Sequence, residues 1–372
     1  MSSSFDARRA LAIALKETHH ISRDPVTLTV SLGLPLLLVL FFGFAIDLNV
    51  RNVDLLVADG DKTRASRALA DLFGASGYFA VRSAPSSEAA VEELGNEKAK
   101  AALVIEPGFQ RDLIAGRPVS AQILLDGADN AYAGTVSSYL QGVQALAQSR
   151  LIGGPEPPAR IEPRFLFNPE LDSHWFIVPG VIVIVVGLIA TLLTALTVAR
   201  EWENGSMELL LSTPVRPLEI IAGKLSPYLA LCFGGMVLVY AMARLVFEVP
   251  FVGSLPVFVV ATVLFLAATM SQGLVISVVT RQQQLAFQAA MNTGMMPIQL
   301  LSGFIFPVES MLAVFQYATV IIPARWYMTI VRALFLRGTD YAMLARPFAA
   351  LAALTAIFVG FAWRKFKTDL EP

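Results

Sequence analysis

The sequence has few charged residues and almost no cysteine or histidine. Only 15% of its 372 residues are Asp, Glu, Lys or Arg, and 55% are hydrophobic, whereas a soluble domain carries about 25% charged residues. The single cysteine, Cys232, excludes an internal disulfide framework. Three scattered histidines predict no metal site, and a net charge of −1 gives no indication of a nucleic-acid partner, so none is expected. This composition predicts a membrane protein with several spans.

The common catalytic motifs are also missing. No G-x-x-x-x-G-K-[ST] sequence occurs, so the chain is not expected to bind ATP through a P-loop. The H-E-x-x-H and G-x-S-x-G patterns of metalloproteases and serine hydrolases are absent as well. We therefore predict no catalytic residue and no cofactor in this chain.

Long apolar runs dominate the sequence instead. A helix needs about 20 residues to cross about 30 Å of hydrocarbon. The runs predict an α-helical polytopic membrane protein with six spans, at residues 26–46, 176–199, 225–246, 255–280, 285–306 and 345–363. The first run has no clear A-x-A cleavage site after it, so we interpret it as a retained signal-anchor.

Basic residues are distributed unevenly between the two sides of these spans. With the N-terminus inside, the inner segments hold eleven Lys or Arg, and the outer short loops 247–254 and 307–344 hold three. The positive-inside rule then predicts that both termini and the segment 200–224 are cytoplasmic. Residues 1–25 mix apolar and charged side chains, which indicates a helix in the inner membrane interface, with a solvated lead-in to the first span as the alternative.

Residues 47–175, between the first and second spans, have the composition of a soluble domain. Alternating strand and helix patterns predict an inserted α/β domain with a mostly parallel sheet. The predicted strands are 53–59, 78–84, 100–109 and 119–128. A long helix over 129–151 and a stiff proline-rich linker over 153–174 follow. The orientation rule makes this domain extracytoplasmic.

The six apolar runs contain no Asp, Glu or Lys, and Arg244 lies near enough to the outer end of its run to snorkel. Carriers driven by ion gradients usually place ionisable groups at membrane depth. Their absence indicates that the driving energy enters from outside the bilayer. The runs do contain polar side chains that form a candidate translocation path or, alternatively, join helices to one another: Thr194, Gln272, Gln288, Asn292 and Gln299.

The outer segment 307–340 is apolar but leaves no room for a clean span with tails. It predicts short helices that re-enter the outer leaflet, where non-helical backbone has to be buried in protein. Its charged residues Glu309, Arg325 and Arg332 are candidates for ion pairs in that location.

The segment AREWENGSMELLLSTPVRPLEIIAGKL (199–225) is longer and more charged than a simple turn between two spans requires. Its pattern predicts a short helix capped by Asn204, a break at Pro214 and a second helix that begins at Pro217. A solvated loop is the alternative interpretation.

This segment, with its continuation SPYL, resembles the signature segment of type-2 ABC exporter permeases. Further stretches match the family in the same order: Arg23-Asp24-Pro25, Asn168-Pro169-Glu170, Val178-Pro179-Gly180 and Ser302-Gly303-Phe304-Ile305-Phe306-Pro307. Trp202, where a charge is common, and the pair His19-His20 depart from the pattern. The large insertion after the first span is typical of the drug- and lipid-exporter-like branch.

The resemblance implies a dimer of permeases, identical or paralogous, each docked to a P-loop ATPase that binds ATP and Mg²⁺. It implies that residues 200–212 include a coupling helix in contact with that ATPase. The matching positions are Arg200, Glu201, Glu203, Asn204, Gly205, Met207 and Glu208. It also implies a bacterial inner membrane, an amphiphilic or hydrophobic substrate such as a drug or lipid, and a possible periplasmic adaptor protein.

Two other functions remain open at the level of sequence. A membrane sensor would use the α/β domain to bind a ligand, but six spans with cores free of acids and lysines exceed what a sensor needs. An ion-coupled carrier would stop when the proton gradient is removed, whereas an ATP-driven exporter would continue in vesicles supplied with ATP.

Overall fold

The computed structural model describes residues 5–45, 53–96, 99–125, 136, 139–140, 142–144, 146–147, 172–338 and 341–365. Most of the predicted helix 129–151 and of the predicted linker 153–174 lies outside these residues. The chain divides into two units, Leu48–Arg164 and the remainder on both sides of it, which are described separately.

Two helices begin the chain, α1 at Ala7–Arg23 and α2 at Pro25–Ala45, the latter with a π-helical turn at Thr29–Gly33. Asp24 lies between them and caps α2 by accepting the backbone N–H of Val26 at 3.0 Å. Pro25 occupies the first helical position, where a missing N–H leaves no intrahelical bond unmade. The sequence Asp-Pro thus ends one helix and begins the next.

Four strands form the sheet of the smaller unit. They are β1 Val53–Asp59, β2 Phe79–Ser83, β3 Ala101–Ile105 and β4 Gln122–Leu125. Their order is β2-β1-β3-β4, with β1 parallel to β2 and β3, and β4 antiparallel to β3. The connecting helices are α3 Arg64–Ala75, α4 Ser87–Gly95 and α5 Phe109–Ile114. The predicted mostly parallel sheet with alternating helices is therefore present.

Alternation along β1 and β3 gives this sheet two apolar faces. Leu55 and Leu103 lie in one buried cluster, whereas Leu56 and Val104 lie in another on the opposite face. Successive side chains of a strand point to opposite faces, so the near-continuous apolar strands are those of a sheet covered on both sides.

The larger unit continues after the first two helices with nine more described helices. They are α6 Ser173–Glu203, α7 Ser206–Leu211, α8 Pro217–Leu245, α9 Leu255–Thr280, α10 Gln283–Ala290, α11 Met296–Leu301, α12 Ala313–Ala318, α13 Pro323–Arg332 and α14 Tyr341–Lys365. A π-helical turn, Met291–Met295, joins α10 to α11.

Five of the described helices are long and apolar enough to cross a membrane: α2, α6, α8, α9 and α14. A pair bent by 91°, Ala313–Ile321 with Pro323–Arg337, raises the number to six if it counts as one span. The predicted span 285–306 is instead the helix of α10 and α11, which is not among the five. Its amides Gln288, Asn292 and Gln299 lower its mean hydropathy. The length of the run alone therefore overstated how apolar this helix is.

Helix α6 runs through the middle of the larger unit and is buried along most of its length. Helix α9 approaches it most closely at Gly273, where an added Cβ would overlap Thr194 Oγ1. Phe265 of α9 stacks on Tyr327 of α13 with ring centroids 4.2 Å apart. The apolar runs of the sequence therefore form one packed helical core around α6.

Candidate functional site

The segment after residue 199 folds as a short helix between two long ones. Helix α6 continues to Glu203, α7 follows, and α8 begins at Pro217 with Glu219 in its first turn. Gly205 precedes α7 with φ +71°, a left-handed conformation that favours glycine. The predicted N-cap by Asn204 is wrong, because α6 runs one turn further and Asn204 becomes its C-terminal cap.

Helix α7 has one buried face and one exposed face. Met207 is 1% exposed and lies in an apolar cluster with Ile13 of α1 and Ile220 of α8. Glu208 is exposed, and Leu209 beside it is 73% exposed. The open face of α7 therefore presents one acidic and one apolar side chain.

A buried cluster of charges fixes the end of α6 to two other helices. Lys224 of α8 is 1% exposed, and its Nζ lies 3.0 Å from Glu17 Oε1 and 2.8 Å from Glu201 Oε2. Lys16 Nζ donates to Glu201 Oε1 at 2.6 Å. Each buried carboxylate thus has a base within contact distance, as burial of a charge requires.

The ammonium group of Lys16 is stabilised by this cluster. Partial burial disfavours its charged form, but the hydrogen bond and the negative charge of Glu201 outweigh that effect, so the pKa of Lys16 is raised above its ordinary value. Lys16 therefore stays charged over the physiological range and keeps Glu201 paired.

A second carboxylate, Glu219, ties α1 to the start of α8. It is fully buried and accepts the backbone N–H groups of Asp6 at 2.8 Å and Arg216 at 3.0 Å. Arg9 of α1 lies 3.9 Å from the same carboxylate and donates to the carbonyl of Pro214. Helix α1 therefore lies alongside the start of α8 and the turn before it.

The end of α6 also contacts the turn before α10. Arg281 lies over the ring of Trp202, 4.5 Å from its centroid. Glu203 accepts the backbone N–H of Gln283 at 2.8 Å and its side-chain amide at 2.5 Å. The residues that follow Ala199 therefore touch α1, α8 and the entry to α10, so a displacement of this segment reaches three parts of the helical unit.

The seven residues predicted to contact the ATPase differ in how exposed they are. Glu203, Asn204, Gly205 and Glu208 are exposed, Arg200 is partly buried, and Glu201 and Met207 are buried. Arg200 Nη1 lies 3.3 Å from His20 Nε2 and 3.9 Å from Asp24. Sequence reasoning placed Glu201 with the exposed group because its partners are distant in the chain.

Three partners of this site were missing from the sequence-based prediction: Glu17, Lys224 and Glu219. A signal existed for Glu17, since it continues the buried stripe Ala10, Ile13, Ile21 at helical spacing. A charge on an apolar stripe requires a buried partner. Lys224 itself carries no comparable signal.

The candidate path residues do not share one environment. Thr194 is fully buried, and its hydroxyl donates to the Ala190 carbonyl at 2.8 Å within α6. Gln272 of α9 donates to the Thr293 carbonyl at 3.1 Å. That carbonyl lacks its helical donor because residue 297 is proline, so Gln272 satisfies a backbone acceptor in the π-helical turn.

The helix formed by α10 and α11 has two different faces. Ala286, Ala290 and Gly294 are buried, and a Cβ added to Gly294 would lie 3.2 Å from Thr191 of α6. Gln288 and Asn292 are exposed on the other side, and Gln299 is partly buried. The small residues therefore serve close helix packing, while two amides face away from the chain's own core.

The predicted pairing of Glu309 with Arg325 or Arg332 is wrong for the described structure, in which neither arginine lies within 4 Å of that carboxylate. Arg325 donates to the Gln316 carbonyl at 3.1 Å and to Thr319. Arg332 donates to the Gly303 carbonyl at 3.0 Å and lies 4.4 Å over the Phe176 ring. Carbonyls at turns and helix ends supply acceptors without a second charge.

Arg346 is a further arginine within the predicted apolar runs, 5.8 Å over the Trp326 ring.

The sequence is similar to those of known proteins whose class agrees with apolar helices joined by a charged segment. The family described as ABC-2 family transporter protein matches residues 25–364. The "Probable multidrug ABC transporter permease YbhS" of Escherichia coli K12 is 33% identical over 98% of both chains. The similarly named YbhR of the same organism is 30% identical over 96% of this chain and 98% of its own. The "Inner membrane transport permease YhhJ" is 32% identical over 72% of this chain and 73% of its own.

The fold and these matches define a multi-pass inner-membrane protein of the transporter class. The chain belongs to the ABC-2 transporter family and is a membrane permease subunit of an ABC exporter. The family implies an ATPase partner. Within the described residues, no group of three or more His, Cys, Asp or Glu side chains is placed to hold a metal ion.

Proposed function

We propose that a P-loop ATPase docks from the cytoplasm on the exposed face of residues 203–209 and that α7 acts as its coupling helix. The observation that carries this is the division of α7 into a face anchored by Met207 and a free face with Glu208 and Leu209. The anchored face holds the helix rigidly to α1 and α8, while the free face offers one apolar and one acidic side chain to a partner.

A movement of the docked ATPase is then transmitted to the other helices through direct contacts. Glu201 transmits to Lys224 of α8 and Lys16 of α1, while Glu203 and Trp202 transmit to Gln283 and Arg281 before α10. Packed helices and buried ion pairs shift as rigid bodies rather than deform continuously. ATP and Mg²⁺ bind the partner, and this chain converts closure of that partner into exposure of a path.

The orientation that suits this function has both termini and the segment 200–224 in the cytoplasm. The unit between residues 47 and 175 is then extracytoplasmic and can gate the exit or meet a periplasmic adaptor. The bent pair around Ile322 is then a re-entrant element near the outer face, which its 91° bend supports.

A second permease copy covers the exposed amides of α10 and α11. Gln288 and Asn292 face outward from the chain, and an amide at membrane depth requires a hydrogen-bond partner or water. A paired subunit supplies both, either as direct contacts or as a wet path between the two helices. The substrate is amphiphilic or hydrophobic, which agrees with the word "multidrug" in the names of the relatives YbhS and YbhR.

Charge reversal on the free face of α7 tests the docking proposal. Glu208→Lys combined with Leu209→Asp leaves the buried contacts of Met207 untouched, so the chain inserts normally but the ATPase is lost on purification. Glu248→Lys, an exposed acid beyond the other end of α8, is the matched control. If the ATPase co-purifies with the double variant as with the control, and ATP-driven export is unchanged, docking on this face is excluded.

An ion-coupled carrier is the competing function, and the same vesicles separate the two. Export by inverted membrane vesicles that continues with ATP after a proton-gradient uncoupler is added supports the ATP-driven mechanism. Export that stops with the uncoupler while ATP is present overturns it.

A further inference from the structure

A cavity of about 230 Å³ lies beside the buried charge cluster, between α1, the start of α2, the end of α6 and α8. Its wall combines apolar side chains of α6, Leu193 and Leu196, with the charged Arg200 one to two turns further along the same helix. Asn204 and Ser206 of the segment 203–209 also line it, but Glu208 and Leu209 on the free face of α7 and the candidate path residues do not.

One wall residue carries a polar group with no partner. Tyr228 is 5% exposed, and its hydroxyl makes no hydrogen bond to any of the described residues. The hydroxyl oxygen itself remains accessible, because it faces the cavity. It is therefore a donor available to an occupant that accepts a hydrogen bond.

Arg200 supplies further donors to the same space. Its Nη1 is near His20 and Asp24, but Nε and Nη2 have no hydrogen bond within the described part of the chain. A guanidinium presents its donors as a planar fork that matches the oxygens of a phosphate or carboxylate. Arg200 and Tyr228 together therefore point to an acidic oxygen ligand.

Two carboxylates also line the cavity, and their charge limits what can bind. Glu17 and Glu201 are balanced by Lys224 behind them and by Lys16 in the wall. With Lys224 behind the wall and Asp24 3.9 Å from Arg200, three bases, Lys16, Arg200 and Lys224, meet three acids, Glu17, Asp24 and Glu201. An occupant with a net charge of zero suits this balance better than a free anion.

The position of the cavity along α6 indicates where the occupant comes from. The helix changes from a continuous apolar run, 176–199, to charged residues at Arg200, and the cavity spans this change. Helix α1 exposes Leu11 and Leu15 away from its buried face, and Phe5 before the helix is exposed as well, as expected for a helix in a membrane interface. The cavity therefore lies at the level of lipid head groups.

We propose that this cavity binds the head group of a zwitterionic phospholipid, with its phosphate at Arg200 and Tyr228 and an acyl chain along Leu193 and Leu196. The bound lipid fills the space where α1 meets α6 and α8, and so links the N-terminal helix to the segment that follows Ala199. This proposal is tested separately from ATPase docking on α7, since lipid binding is measured without nucleotide or ATPase.

Native mass spectrometry of the purified permease measures this binding directly. The chain is delipidated in detergent and titrated with phosphatidylethanolamine, with diacylglycerol of the same acyl chains, or with inorganic phosphate. The expected result is one phosphatidylethanolamine per chain at saturation, with affinity for diacylglycerol lower by about tenfold or more, because the charged hydrogen bonds are lost.

Substitutions in the cavity test the named contacts. Tyr228→Phe weakens phosphatidylethanolamine binding by about fivefold and Arg200→Gln by about tenfold, whereas Arg364→Gln, an exposed arginine at the end of α14, leaves it unchanged. Leu196→Trp fills the cavity and abolishes binding, which covers the case in which Arg200→Gln misfolds. The size-exclusion profile of each variant checks its folding.

Three outcomes overturn the proposal. Equal retention of diacylglycerol shows that the head group is not recognised. Inorganic phosphate that competes fully with the lipid assigns the site to a soluble phosphate compound instead. Unchanged lipid binding in both Tyr228→Phe and Leu196→Trp shows that the lipid binds elsewhere on the chain.

Discussion

The two ends of α6 hold their buried charges in different ways. At the C-terminal end, Glu201 has Lys224 at 2.8 Å and Lys16 at 2.6 Å. Near the N-terminal end, Arg332 lies over Phe176 and donates once, to the Gly303 carbonyl, while its Nε and Nη2 are buried without a partner. One end pairs acids with bases across three helices. At the other end, no ion pair within 4 Å joins Arg332 to an acid of the described residues, and the charges of Glu309 and Arg337 act on it only at longer range.

This difference predicts which of the buried charges contribute to the stability of the fold. Removing one member of a buried ion pair leaves an uncompensated charge and costs about 3–5 kcal/mol. Removing a charge that was never paired takes away its hydrogen bond but also its desolvation cost. Substitutions at the two ends are therefore expected to differ strongly, although both remove a buried base near the end of the same helix.

The largest effect is expected at the paired end. Lys224→Met leaves Glu17 and Glu201 buried without their shared base, so the free energy of unfolding falls by about 3–5 kcal/mol. Lys16→Met is the matched control, because the side chain of Lys16 is 54% exposed and Glu201 keeps Lys224 as a partner, so a loss of about 1 kcal/mol or less is expected. The midpoint of thermal unfolding in detergent measures both.

A triple variant separates charge from packing in that result. Replacing Glu17, Glu201 and Lys224 together by methionine removes the buried charges as a group and leaves only Lys16, whose side chain is 54% exposed, to be solvated by water. Most of the lost stability is then recovered, as it often is when buried ion clusters are replaced by apolar residues. A Lys224→Met chain as stable as the Lys16→Met control would show that the cluster is not a structural tie, and the contrast between the two ends would disappear.

An intermediate effect is expected where α1 crosses α8. A Cβ on Gly223 would lie 2.7 Å from the Ala10 carbonyl oxygen and 2.7 Å from Ile13 Cβ, so Gly223→Ala pushes the two helices apart at a cost of about 1–3 kcal/mol. Gly234→Ala, on the same helix with nothing within 4 Å of its added Cβ, is the control and gains stability from helix propensity. Equal unfolding midpoints for the two variants would contradict the close approach.

Local features of the fold were predictable from sequence. The strand predicted at 53–59 is β1 at Val53–Asp59, because a short apolar run bounded by turn residues suffices to define it. The start of α8 at Pro217 with Glu219 in its first turn was predictable for the same reason: capping acts over a few residues. Such predictions need no knowledge of tertiary contacts.

Features that depend on distant residues were not predictable. Lys16 and Glu201 are 185 residues apart in the chain, and nothing near either residue identifies the other. The assignment of Glu309 to the outer arginines failed for a related reason, since opposite charge alone does not reveal that nearby carbonyls are better placed acceptors. Sequence therefore located the candidate segment but not the burial of individual side chains within it.

A smaller effect with a distinct pH signature is expected at Asp24, next to Arg200. The hydroxyl of Thr27 and the N–H groups of Thr27 and Val26 hold the pKa of Asp24 below its usual value, against a weaker effect of burial. A lowered folded-state pKa gives stability that is present above the unfolded pKa, about 3.9, and is lost as pH falls through the folded pKa. Asp24→Ala costs about 1 kcal/mol at neutral pH because α2 loses its cap.

Asp24→Asn tests the sign of that dependence. Asparagine caps helices about as well as aspartate but does not titrate. The wild-type chain therefore loses more of its stability on acidification than Asp24→Asn does, when unfolding midpoints are compared at neutral pH and at pH below the usual aspartate range. Parallel pH profiles for the two chains would show that the Asp24 carboxylate is not stabilised by these contacts.

The smallest effect is expected at the unpaired end. Arg332→Met removes a hydrogen bond to Gly303, worth about 1.5–3 kcal/mol for a charged donor, but it also removes two unsatisfied buried donors that cost about 1–3 kcal/mol each. The two contributions nearly cancel, and methionine keeps the packing on Phe176, so the unfolding free energy changes by less than about 1 kcal/mol. A loss as large as that of Lys224→Met, measured in the same detergent, would show that Arg332 has a partner of opposite charge in the assembled protein. In that case, the two ends of α6 would differ in charge pairing only in the isolated chain and not in the assembled protein.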